Sequence, residues 1–134
     1  MKTRILVVED ERIVQLDLES RLQRLGYAVV GLAASGEEAV AKAAALQPDL
    51  VLMDVRLEGP IDGIEAARQI RAARDVPVLF LTAHAASLGK QEQEGLHPCL
   101  SKPFRAAELQ TAMAQVLDRI GTNSPFQEKQ FESS

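Results

Sequence analysis

Cys99 is the single cysteine among 134 residues, so no disulfide can close within the chain. A reducing compartment is the simple reading. Basic runs are also lacking. Fifteen Lys and Arg lie scattered among nineteen Asp and Glu, for a net charge of -4. That balance argues against direct nucleic-acid binding. No apolar stretch is long enough to span a bilayer. Met1-Lys2-Thr3-Arg4 leads straight into a strand-like run, which leaves no space for a signal peptide. A cytoplasmic protein with no membrane segment is expected. There is no internal repeat. With 46% hydrophobic and 25% charged residues, the composition suits one globular domain that buries its own core.

Four short apolar runs each stop at a reactive polar residue. Ile5-Leu6-Val7-Val8 stops at Glu9-Asp10, and Leu50-Val51-Leu52-Met53 stops at Asp54. Val78-Leu79-Phe80-Leu81 stops at Thr82, and Cys99-Leu100-Ser101 stops at Lys102-Pro103. Runs of this kind read as strands of a parallel sheet buried on both faces. Parallel strands put their C-terminal ends on one edge, where open α/β sheets bind ligands. The sheet then gathers three carboxylates, a hydroxyl and an ammonium at one place.

Strand and helix patterns alternate five times. Strands are expected over 4–8, 28–33, 49–53 and 77–81, with a short one at 99–101. A first helix over 11–25 carries Val14, Leu18, Leu22 and Leu25 on one face and stops at Gly26. Ser35 and Glu38 form a capping box for a helix reaching Leu46. Asp62-Gly63 precedes a helix over 64–73. A short helix over 86–94 is weakened by Gly89 and closed by Gly95. The last helix, over 105–120, has Leu109, Ala112, Met113, Val116, Leu117 and Ile120 at helical spacing. Gly121-Thr122-Asn123-Ser124-Pro125 reads as a linker, so 1–120 forms the domain and 121–134 a flexible tail or cut linker. Alternating βα units with right-handed crossovers give a doubly wound parallel sheet with helices on both faces.

Three carboxylates within ~5 Å of one another repel by about 3 kcal/mol per pair at an effective dielectric near 20. A cation or a proton must relieve this. A hard, oxygen-rich site of that size suits Mg²⁺. Asp10 and Asp54 are the expected direct ligands, with Glu9 direct or through water and the Arg56 backbone carbonyl completing the sphere. Asp54, ending the central strand, is the expected phosphoryl acceptor, since a carboxylate can attack phosphorus to give an acyl phosphate. The Lys102 ammonium then offsets charge on the transferred group, and the Thr82 hydroxyl and Ala83 backbone N–H donate to its oxygens. Each residue has an ordinary explanation when taken singly. Asp10 would be a helix cap, Asp54 a loop residue, Thr82 a strand end and Lys102 surface charge. Their placement at four successive strand ends is what favours function.

These residues carry a resemblance. Over residues 4–120 the chain resembles a receiver domain of bacterial two-component response regulators. The matching pieces are Ile5-Leu6-Val7-Val8-Glu9-Asp10, Asp49-Leu50-Val51-Leu52-Met53-Asp54, Asp62-Gly63-Ile64-Glu65-Ala66-Ala67, Leu81-Thr82-Ala83-His84 and Lys102-Pro103-Phe104. The resemblance implies a flavodoxin-like five-stranded sheet of order 2-1-3-4-5 and a cis bond between Lys102 and Pro103. It also implies Mg²⁺-dependent phosphorylation of Asp54 by a sensor histidine kinase or phosphotransfer protein. The implied role is a phosphorelay regulator, not an enzyme. Its output would be a switched partner-binding or dimerisation face, formed by the fourth helix, fifth strand and fifth helix, or by the fifth helix and the tail.

The chain departs from the family pattern in places. Cys99 stands where an aromatic is usual, three residues before the lysine, and reads as a small buried hydrophobe. Gly63 follows Asp54 at nine positions where eight is commoner, and Thr82 to Lys102 spans 20 positions, about two fewer than usual. Arg56 and His84 occupy the positions that tune dephosphorylation in the family, and His84 reads as an exposed loop residue. Two other functions compete. A pseudo-receiver would bind partners without being phosphorylated, against which the full Asp10, Asp54, Thr82 and Lys102 set argues. A carboxylate-nucleophile phosphatase would need a second acid–base carboxylate and a substrate cap. Position 56 is arginine and no cap-sized insertion exists.

Overall fold

The computed structural model describes residues 2–83 and 99–121. The expected helix over 86–94, His84 and the tail from 122 onward lie outside the described residues. Within them run β1 (Arg4–Val8), α1 (Arg12–Arg24), β2 (Ala28–Ala33), α2 (Gly36–Leu46) and β3 (Leu50–Asp54). Then follow α3 (Gly63–Ala73), β4 (Val78–Thr82), β5 (Cys99–Ser101) and the C-terminal helix α4 (Ala106–Gly121). The strands form one sheet of order β2-β1-β3-β4-β5, and every pairing is parallel. This is the doubly wound order expected from the sequence.

Period-two alternation divides the core between two faces. Leu6, Val8, Val51, Met53, Val78 and Phe80 pack with Ala39, Ala43, Ala66 and Ile70 of α2 and α3. Ile5, Val7, Leu50, Leu52, Leu79 and Leu81 pack with Leu18, Leu22, Leu109, Met113 and Val116 of α1 and α4. The three inner strands are apolar at nearly every position because both faces are covered.

The helix ends follow their sequence signals, with two adjustments. Ser35 caps α2 by accepting the Glu38 N–H at 3.1 Å, as the capping box predicts. The Glu38 carboxylate reaches one residue further back than the box requires and accepts the Ala34 N–H at 2.8 Å. The cap position of α1 falls on Glu11, not Asp10, which leaves the Asp10 carboxylate available to the site. Gly26, with φ +97, stops the chain after α1, where a side chain would be strained. Asp62 caps α3 by accepting the Glu65 N–H at 2.9 Å.

The expectation of a buried Cys99 is overturned. Cys99 is exposed, as is Ser101, with Leu100 half-buried between them. β5 is a three-residue strand at the edge of the sheet, and among the described strands it pairs with β4 alone.

Candidate functional site

Strand register brings the polar residues together. Val8 pairs with Met53, Asp54 with Leu81 and Thr82 with Ser101. Each strand therefore ends at about the same height, and Glu9-Asp10, Asp54, Thr82 and Lys102 emerge along one edge. The Lys102 N–H donates to the Thr82 carbonyl at 2.8 Å and so prolongs the β4–β5 ladder by one bond. The Lys102–Pro103 bond is cis, as the resemblance implies.

One carboxylate oxygen each from Glu9, Asp10 and Asp54 lies within 4.8 Å of the others. Glu9 has no exposed surface, Asp54 is buried and Asp10 is partly exposed. The Lys102 Nζ donates to Glu9 Oε1 at 2.8 Å and to Asp54 Oδ2 at 3.0 Å. The Glu11 N–H donates to Glu9 Oε2 at 3.0 Å, and the Arg56 N–H to Asp54 Oδ1 at 3.1 Å. Every oxygen of these two buried acids therefore has a donor, which is what burial of a charge demands. Burial pulls the Lys102 ammonium down. Its hydrogen bonds to Glu9 and Asp54, with their charges, outweigh that and hold it above the ordinary lysine value.

Thr82 is buried at the end of β4, and Ala83 beyond it is exposed. Ala83 and Lys102 form part of the wall of an open cleft of about 430 Å³, shared with Val14 and Leu18 of α1 and with Phe104. The Arg21 guanidinium stands 5.8 Å from the centre of the Phe104 ring and pairs with Asp17 at 2.9 Å. One glycine shapes the approach. A Cβ on Gly63 would sit 1.9 Å from the Asp54 carbonyl oxygen, so only glycine lets α3 begin this close to the end of β3. Gly63 also donates its N–H to the Val55 carbonyl at 2.9 Å.

The structure brings Glu9, Asp10, Asp54 and Lys102 together and sets Thr82 at the end of the adjoining strand. Lys102 pairs with Asp54 and with Glu9, and neither ion pair was anticipated from the sequence. Gln15 was also missed. It lies in the line of Leu18 and Leu22 at i, i+3 and i+7, and that spacing marks it as an inward-facing polar group.

Three carboxylates and a lysine converge at the C-terminal edge of a doubly wound sheet, where open α/β folds bind ligands. The model of the response regulator receiver domain matches residues 5–114, and the chain belongs to that family. Receiver domains are regulatory, phospho-accepting domains. The chain is 37% identical over 119 residues to the transcriptional regulatory protein PdtaR of Mycobacterium tuberculosis, covering 87% of this chain and 58% of that one. It spans about half the length of the curated relatives it matches. Among solved structures it resembles the receiver domain of the response regulator PhyR from Erythrobacter litoralis, with TM-score 0.80, 32% identity, and 87% and 91% of the two chains covered. It is likewise similar to the receiver domain of the sensor histidine kinase PA1611 from Pseudomonas aeruginosa, with TM-score 0.77, 40% identity and coverage of 88% and 99%. In that structure a magnesium ion is coordinated in the active-site cleft. No helix among the described residues is long and apolar enough to cross a membrane.

Proposed function

We propose that this chain is a Mg²⁺-dependent phosphoryl acceptor in a phosphorelay, charged on Asp54 by a histidine kinase or phosphotransfer protein. One observation carries the reading. The Lys102 ammonium bridges the buried Glu9 and Asp54 carboxylates at 2.8 and 3.0 Å, beside a third acid, Asp10. A lone ammonium cannot neutralise three carboxylates, so the set retains a net deficit that a divalent cation would fill.

The donors fit such an ion, being hard oxygens from three acids within 4.8 Å, one of them open to solvent. Asp10 and Asp54 would hold it, with Glu9 and the Arg56 carbonyl supporting. When bound, Mg²⁺ offsets charge on the phosphoryl oxygens and lowers the repulsion met by an anionic donor. Asp54 uses a free lone pair of its carboxylate to attack phosphorus. An O–P bond forms, and the donor's N–P bond breaks with its electron pair leaving on the imidazole. Lys102 follows the developing charge while Glu9 keeps it from swinging into solvent. The Thr82 hydroxyl and Ala83 N–H donate to the phosphoryl oxygens. The end of β4 and the start of β5 then tighten around the group, and this biases a partner-binding or dimerisation face.

The test is treatment of the chain and of Asp54→Asn with a small-molecule phosphodonor and Mg²⁺, read by intact mass and by oligomer size. The wild type should gain one phosphoryl group and Asp54→Asn none. Equal labelling of both, or steady turnover of a phosphate ester, would refute the assignment.

A further inference from the structure

Gln15 takes no part in the chemistry above, yet it is the one buried neutral amide beside the acids among the described residues. It is 4% exposed and lies on the inward line of α1. Its Nε2 donates to the Glu9 carbonyl at 3.1 Å and to the Ala33 carbonyl at 3.1 Å. Its Oε1 accepts from the Arg12 Nη1 at 2.7 Å. The Glu9 N–H donates to the same Ala33 carbonyl at 2.9 Å. A single side chain thus ties α1 to the ends of β1 and β2, at the peptide where the acidic pair leaves the sheet.

An apolar residue of equal size would fill this space, but it would take this donor from the Glu9 carbonyl. Packing alone therefore does not call for glutamine here. With both amide hydrogens and the oxygen engaged, the group has a single orientation, and so does the Glu9 peptide it holds.

We propose that Gln15 is a positioning residue for cation uptake. By clamping the Glu9 carbonyl it sets the direction in which Glu9 and Asp10 project toward Asp54. The inference rests on the reading of the acidic set as a Mg²⁺ site. Groups that fix the orientation of metal ligands commonly change affinity by about 10–100-fold when removed.

The experiment is calorimetric titration of Mg²⁺ into the full chain and into Gln15→Met and Arg12→Met, with thermal unfolding of each followed without Mg²⁺. Gln15→Met keeps the volume and loses both donated bonds, so its Kd for Mg²⁺ should rise about tenfold or more while it remains folded. Arg12→Met removes only the anchor on Oε1 and should show a smaller rise. A folded Gln15→Met with a lowered Tm and the wild-type Kd makes Gln15 a structural residue only and overturns the proposal. If Gln15→Met does not fold, Arg12→Met decides: a raised Kd supports the proposal and an unchanged one overturns it. A wild-type chain that takes up no Mg²⁺ contradicts the reading of the acidic cluster itself, and the role of Gln15 falls with it.

Discussion

Lys102 and Glu9 stand 93 residues apart in the chain, and the lysine Nζ lies 2.8 Å from an oxygen of the buried glutamate. The same ammonium holds Asp54 at 3.0 Å. The lysine therefore balances two buried carboxylates at once.

Replacing that lysine leaves two buried acids short of a counter-charge. Removing one partner of a fully buried pair costs about 3–5 kcal/mol. Lys102 keeps 21% of its side chain exposed, so water offsets part of the loss. Lys102→Met should lose about 2 kcal/mol in denaturant unfolding without Mg²⁺. Added Mg²⁺ should recover part of it. An unchanged midpoint would show that the pairing contributes nothing.

The raised pKa of Lys102 gives the same contact a pH signature. The charged form is favoured in the folded state, so its stabilisation is fully present below the ordinary lysine pKa. It is lost as pH rises through the higher folded value. The stability difference between wild type and Lys102→Met should therefore be flat at neutral pH and shrink above about pH 10.5. A difference that grows with alkalinity would contradict the assignment.

Gly63 tests the backbone frame of Asp54. An added methyl would meet the Asp54 carbonyl oxygen at 1.9 Å, and backbone cannot step aside as a flexible side chain can. Gly63→Ala should cost about 3 kcal/mol, the upper end of ordinary overpacking. Phosphodonor labelling should slow as well, because the end of β3 must move. Chemical denaturation and labelling rate together check this.

Cys99 is exposed, but partial burial of its surroundings pushes the thiol above its ordinary pKa. Only the thiolate alkylates readily. At neutral pH iodoacetamide should therefore modify Cys99 more slowly than a free thiol, and the gap should close as pH rises. Alkylation faster than glutathione would show an activated thiol instead.

Much of this was legible in the sequence. Apolar runs ending in Asp10, Asp54, Thr82 and Lys102 marked both the strands and the edge where they meet, because strand burial and strand ends are local properties. Ser35 with Glu38 marked a helix start for the same reason. Cys99 misled because a short apolar run does not say whether its strand lies inside a sheet or on its margin. The bond from Lys102 to Glu9 and the clamp of Gln15 depend on the packing of distant segments. No spacing rule reports their geometry, although the position of Gln15 on the apolar line of α1 was visible.

The most direct measurement locates the phosphoryl group. The chain is treated with a phosphodonor and Mg²⁺, the product is reduced with borohydride, and peptides are sequenced by mass spectrometry. An acyl phosphate on Asp54 is cleaved to homoserine, so the account predicts homoserine at position 54 alone. Homoserine at Asp10, the longer 2-amino-5-hydroxypentanoic acid at Glu9, or a protein that gains no phosphoryl group, would contradict it.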